Sequence, residues 1–199
     1  MKQDRNKSWK ARRNVSPHGR GYTLLELLLT VALLGTAGSI LVPRLVNLEQ
    51  MEAQAAVRQM IGDITYAQAD AVAQQEFRRV YFYENGSGYC VVRVTDSDFE
   101  SSFDADSADY LDDISSSPGS WGRYIRDFSA DSRFSGVQID GADFDNTQRY
   151  MTFDSLGGTV MSGQQPGTGG EIQVSSDSAS YVVEVAPFTG KLTVREVMP

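Results

Sequence analysis

Three hydrophobic patterns follow one another along this chain. Residues 22–42 read YTLLELLLTVALLGTAGSILV, an apolar run in which Glu26 is the only charge. At helical rise such a stretch is about 30 Å long, the thickness of a bilayer's hydrocarbon core. Beyond Pro43 the apolar positions Leu45, Leu48, Met51, Ala55, Val57, Met60, Ile61, Ile64, Ala67, Ala71 and Val72 recur at intervals close to three and four, with Glu49, Glu52, Arg58, Asp63 and Gln68 between them. That spacing predicts an amphipathic helix. Proline at 43 removes a backbone donor and kinks or loosens a helix without having to end it. The expectation is one long helix over residues 22 to about 75: a transmembrane half at 22–42 and an amphipathic half at 43–76 whose stripe packs on a domain.

From Arg78 the period changes to two. RRVYFYE, the turn Asn85-Gly86-Ser87-Gly88 and YCVVRVT predict a hairpin of β-branched and aromatic strands. Further strands are expected at 134–140, 149–155, 171–176, 181–187 and 191–197, separated by Gly and Asp turns, which implies an antiparallel sheet or pair of sheets. The fold class is therefore α+β, the long helix packed on a β-rich head of residues 77–199.

Between the early and late strands, residues 96–113 hold eight acids and no base, and serines around Pro118 follow. This reads as an exposed, mobile acidic insertion loop over 96–120. Asp96, Asp98 and Glu100, and again Asp104, Asp106 and Asp109, are spaced like carboxylates of a calcium loop. Neither set has a glycine at the sixth position or an acid at the twelfth, so a solvated loop is expected and no metal or other cofactor is assigned. Trp121, Tyr124 and Phe128 have a helical spacing of three and four, suited to core packing or to a partner contact. Cys90 falls inside a strand, as a small buried residue does.

Charge sharpens the picture. The first 21 residues carry seven of the 18 Lys and Arg but only one of the 26 acids, so they are +6 and the rest of the chain is -14. A body that acidic repels phosphate, and nucleic acid is not an expected partner. One cysteine cannot form an intramolecular disulfide. The sole histidine, His18, lies in the basic leader. Removal of that leader leaves no imidazole, which excludes Ser-His-Asp and Cys-His catalysis and every His-ligated zinc site.

With the basic leader on the cytoplasmic side, everything after Val42 is delivered outward. A secretory signal peptide would use Leu24 to Leu34 as its apolar region and Gly35 and Ala37 as a cleavage site. Arg12-Arg13 alone suggests twin-arginine export. A plain single-pass anchor accounts for length and orientation. None of these explains Glu26, a carboxylate that costs on the order of 2–3 kcal/mol in an apolar span.

The stretch RGYTLLELLLTVALLG resembles the class III signal of type IV pilins and type II secretion pseudopilins. The resemblance implies that a prepilin peptidase cuts between Gly21 and Tyr22, removing residues 1–21, that Tyr22 is N-methylated, and that Glu26 becomes the fifth residue of the mature chain. It also implies that the helix melts between Gly35 and Pro43 during filament assembly. Tyr at position 22, where Phe or Met is commoner, and the long leader depart from the usual pattern. The chemistry of the spacing is plain: cleavage creates an amine at Tyr22, and a carboxylate four residues on shares its helical face. At about 4 Å and an effective dielectric near 20 such a pair is worth roughly 4 kcal/mol before desolvation. Formed between subunits, it sets register.

MTFDSLGGTV, then GEIQVSS and SYVVEVAPFTGKLTV, are similar to the end of the GspH/FimT group of minor pseudopilins and minor pilins. Phe153-Asp154, Gly157-Gly158 and Thr189-Gly190-Lys191 carry that likeness. It implies a non-enzymatic minor subunit at or near the tip of a type II secretion pseudopilus or type IV pilus, supporting protein secretion or filament initiation. The implied partners are the prepilin peptidase, other pilin or pseudopilin subunits, the inner membrane and the assembly platform. The implied location is the inner membrane with the head outside the cytoplasm, then a periplasmic or surface filament. Two rivals stay open: a minor pilin that captures DNA for uptake, and a membrane-tethered extracytoplasmic hydrolase using carboxylates alone. A steep salt dependence of DNA affinity marks the first, and a cleft with two converging acids marks the second.

Overall fold

The computed structural model describes residues 22–197 apart from 116, 135 and 146, and gives the backbone alone for 40–50. Helix α1 spans Leu24–Gln74, 51 residues. It starts where Thr23 caps it: the Thr23 side-chain oxygen accepts the Glu26 amide at 3.2 Å, and the Leu27 amide donates to the Thr23 carbonyl at 3.1 Å. Thr-x-x-Glu is the sequence of a capping box, and a carboxylate in the first turn suits the positive end of the helix dipole. The helix runs unbroken through Gly35 and Pro43. It stops at Gln75, whose φ of 58° is left-handed, with the Glu76 amide reaching back to the Ala71 carbonyl at 3.2 Å, a closure of the Schellman type.

The chain divides into two compact units, one ending at Leu41 and one beginning at Val42. In the first, the side chains from Leu24 to Leu34 are exposed, Leu24 by 78%. Among the described residues no helix is long and apolar enough to cross a membrane. The described side chains of this run stop at Ser39, whereas the apolar run in the sequence continues to Val42.

In the second unit α1 buries Ala53, Ala56, Val57, Met60, Ile64, Ala67 and Ala71, a stripe whose alanines let sheet side chains approach closely. The first sheet has the order β3-β2-β1-β5-β6-β7, comprising β1 (Phe77–Phe82), β2 (Gly88–Val94), β3 (Ile125–Asp127), β5 (Tyr150–Phe153), β6 (Thr159–Met161) and β7 (Gln165–Pro166). The second has the order β10-β9-β8-β4, comprising β4 (Gln138–Phe144), β8 (Gly170–Ser175), β9 (Ser180–Val185) and β10 (Leu192–Val197). All pairings are antiparallel. The helical stripe, Val80, Phe82, Tyr89 and Val91 of the first sheet, and Ile139, Phe144, Ile172 and Val183 of the second form one core.

Several strand boundaries differ from the sequence reading. The 134–140 segment opens with a 3-10 turn at Ser132–Phe134, and β4 begins at Gln138 and continues to Phe144 past a bulge between Ile139 and Gly141. Trp121, Tyr124 and Phe128 lie on no helix: Tyr124 and Phe128 are buried, and Trp121 is exposed.

The acidic insertion is not simply a solvated loop. β1 and β2 alternate, so Cys90, Val92 and Val94 face away from the main core, and Phe99, Phe103 and Tyr110 cover them. Arg79 ties that cover down, donating to the Phe99 carbonyl at 2.8 Å and lying 4.2 Å from the Tyr150 ring centroid. Ser162 and the Gly163 amide donate to Glu100 at 2.8 and 2.6 Å. A run of acids thus carries, at Phe99, Phe103 and Tyr110, the apolar contacts that close the second face of a sheet.

Candidate functional site

The processing and assembly residues expected from the sequence lie at the start of α1. Gly21 is outside the described residues. Tyr22 is exposed and precedes the helix, and Glu26 sits at its third position. Gly35 is helical, with nothing within 4 Å of a Cβ built there. At Pro43 the helical backbone alone is described. Seven leucines and Val31 between Leu24 and Leu34 are exposed all around the helix, with one carboxylate at its capped end. Covering eight such side chains is worth on the order of 10–20 kcal/mol.

A second constellation, missed in the sequence, joins α1 to the head. Asp63 is only 8% exposed. Its carboxylate accepts the Tyr89 hydroxyl at 2.7 Å, the Tyr124 hydroxyl at 2.9 Å and Arg126 Nε at 2.7 Å. The same guanidinium donates from Nη1 to Asp113 at 3.0 Å and to Ser117 Oγ at 2.7 Å. Asp113 in turn accepts the amides of Ser115 and Ser117 at 3.0 and 2.8 Å. Tyr124 stacks on Tyr66 of α1 with centroids 5.4 Å apart, and Arg126 lies 4.4 Å from the Tyr124 centroid. The signal for Asp63 was present in its neighbours: Met60, Ile64 and Ala67, at i-3, i+1 and i+4, are all buried.

The electrostatics hold Asp113, Arg126, Tyr89 and Tyr124 each in one state. Burial works against the Asp113 carboxylate, but the Ser115 and Ser117 donors and Arg126 keep its pKa far below the ordinary carboxylate range. Burial likewise works against Arg126, and Asp63 and Asp113 outweigh it, raising the guanidinium pKa further. Burial and the adjoining Asp63 push the Tyr89 and Tyr124 phenols up, so both remain donors. Asp131, another buried acid, is bonded to Arg133. Every buried acid among the described residues is thus tied to an arginine, whereas a general acid needs a raised pKa and access to substrate. Burial pushes the Cys90 thiol up to about 12, leaving no thiolate at neutral pH.

On the other flank of the buried helical stripe lies an open groove of about 870 Å³, with Val72, Leu156 and Phe188 among its lining. Gln68 crosses its floor, donating to the Gly157 carbonyl at 2.6 Å and the Thr189 carbonyl at 2.9 Å. One amide therefore staples α1 to a loop of each sheet. Gly157-Gly158 and Thr189-Gly190, singled out in the sequence, are those loops.

Five of the six acids spaced like calcium ligands bond to neighbouring side chains or amides, Glu100 as described above. Asp96 accepts from Gln164, Asp98 from Thr95, Asp104 from Ser107 and the Asp106 amide, and Asp109 from Arg93. Among the described residues no group of three or more His, Cys, Asp or Glu is gathered as a metal ion would require.

The fold and this site define an α+β chain in which α1, from Ala53 to Ala71, packs on antiparallel sheets. Two solved structures are similar to it. One is the minor pseudopilin EpsH from the Type 2 Secretion System of Vibrio cholerae, 12% identical, with a TM-score of 0.44 over 74% of this chain and 98% of that one. The other is the type IV minor pilin FimU of Pseudomonas aeruginosa, 13% identical, with a TM-score of 0.42 over 74% of this chain and 90% of that one. No protein-family model matches the chain, and no curated protein matches it.

Proposed function

We propose that this chain is a minor pilin-like subunit, cut between Gly21 and Tyr22 by a prepilin peptidase, methylated at Tyr22 and assembled through its N-terminal helix into a type II secretion pseudopilus or a type IV pilus. One observation carries the reading: the sole charge of the apolar run, Glu26, is the fifth residue beyond that junction, in the first turn of a helix that begins at Leu24. Cleavage there would set a new amine beside a helix N-terminus already furnished with a carboxylate. The exposed leucines from Leu24 to Leu34 support membrane residence before assembly and helix packing after it. The chain would wait in the inner membrane with its head outside the cytoplasm. Gly35 and Pro43 bound the stretch that would melt on extraction. The tying of each buried acid to an arginine supports a structural role over catalysis.

The test is the mature N-terminus, read by mass spectrometry from cells with and without an active prepilin peptidase. A peptidase-dependent start at Tyr22 carrying one added methyl is expected. A start near Gly38, or one indifferent to the peptidase, overturns the reading.

A further inference from the structure

Residues 112–115 and 117–123 belong to a finger-like loop at the edge of the first sheet. Asp112 bridges Arg123, the Asp113 amide donates to the Gly122 carbonyl at 2.9 Å, and beside that base the Arg123 amide closes a turn on the Ser120 carbonyl at 2.9 Å. Two residues from that bridge on either arm, Ile114 and Trp121 are 86% and 95% exposed. Both central residues of the turn have positive φ, 52° at Trp121 and 81° at Gly122. Such a primed turn favours Gly, Asn or Asp at its first central position, and a bulky residue there is strained. Neither local conformation nor packing within this chain accounts for a tryptophan at 121.

The finger is also held firm from beneath. Asp113, at its base, is locked by Ser115, Ser117 and Arg126, and Arg126 is locked to Asp63 on α1. A strained, exposed aromatic on a fixed support is a preorganised anchor of the kind that dominates binding interfaces.

Charge selects the partner. The stretch leading into the finger exposes Asp104, Asp106, Asp109 and Asp112, with Arg93 bonded to Asp109 and Asp112, in a chain that is -14 beyond residue 21. A second copy offers an apolar groove at Val72, Leu156 and Phe188, but like charge on both copies opposes that pairing, and it opposes an anionic lipid surface equally. We propose that the finger docks the head of a different pilin-like subunit, one presenting an apolar pocket with a basic rim. This rests on the pilin-like reading above and adds to it the contacting residues and the chemistry of the partner.

The mature full-length chain in detergent is titrated with each of the other pilin-like subunits purified from the same cell, at low and high salt. The expected result is that one of them binds, that salt weakens binding, and that Trp121→Asn and Ile114→Ser each weaken it at least about tenfold. Asn fits the turn better than Trp, so Trp121→Asn leaves the melting temperature unchanged or raises it, and its loss of affinity is not a loss of fold. The proposal is overturned if no subunit binds or if Trp121→Asn binds as the parent does. It is equally overturned by Trp121-dependent self-association in sedimentation or Trp121-dependent binding to phosphatidylglycerol vesicles. A chain that starts at Tyr22 in cells yet shows any of these results fails this proposal alone; a chain that does not start there fails the underlying reading.

Discussion

Replacing Asp63 with alanine strips the acceptor from two buried phenols and one buried guanidinium at once. Arg126 keeps Asp113, so the cation is not left wholly unpaired. Breaking one arm of a buried ion pair costs about 3–5 kcal/mol; the retained Asp113 contact pulls toward the lower end, and two stranded hydroxyls pull toward the upper. The expected loss is about 4 kcal/mol for Asp63→Ala and about 2 kcal/mol for Asp63→Asn, which keeps the shape and one good acceptor. In a chain of this size about 4 kcal/mol lowers the melting temperature by roughly 8–16 °C. The assay is urea unfolding of the processed chain in detergent, followed by circular dichroism. A loss under about 1 kcal/mol for Asp63→Ala, as for an exposed ion pair, would refute the claim that this carboxylate clasps helix to head.

Gln68→Ala removes both bonds from α1 to the Gly157 and Thr189 carbonyls and should cost about 1–3 kcal/mol; faster amide exchange in residues 154–158 and 187–190, with 113–123 unchanged, localises the effect. Gly88→Ala places a Cβ 1.8 Å from the Arg126 carbonyl oxygen, an overlap that separates β2 from β3; a loss of more than about 3 kcal/mol or failure to fold is expected. Asp113 has a depressed pKa in the folded chain, so its contribution is complete above the ordinary carboxylate value near 4 and declines as pH falls through the lower folded value. Unfolding midpoints measured downward from pH 6 should therefore fall below about pH 4 in the parent and fall less steeply in Asp113→Asn.

The elements dominated by local pattern were legible. The three-and-four spacing from Leu45 to Val72 gave a helix that does end at Gln74, and Asn85-Gly86 between alternating strands gave the β1–β2 hairpin, with Phe77 opposite Val94. Strands of two or three residues such as β6 and β7 carry too little periodicity to be seen. The acidic segment misled because composition describes its solvent face, whereas its fate is set by Phe99 and Phe103 and by partners 62 to 68 residues away, Ser162, Gly163 and Gln164. The three-and-four spacing of Trp121, Tyr124 and Phe128 straddles a turn and a short strand, and its helical appearance is coincidental. Asp63 looked like a solvated helical acid because its partners, Tyr89, Tyr124 and Arg126, are brought to it only by the fold.

Glu26 has two physical roles on offer, and they separate cleanly. As the third residue of a capped helix it needs only a side chain that can reach back to the cap, which glutamine supplies. As the counter-charge to a new amine at Tyr22 it needs a carboxylate. The decisive measurement is incorporation of Glu26→Gln into filaments, quantified beside the parent after both are shown by mass spectrometry to begin at Tyr22. Normal helix content with incorporation reduced at least about tenfold is the predicted result, matching the loss of an ion pair worth roughly 2 kcal/mol or more after desolvation. Incorporation equal to the parent would contradict it and leave Glu26 as a first-turn helix residue and nothing more.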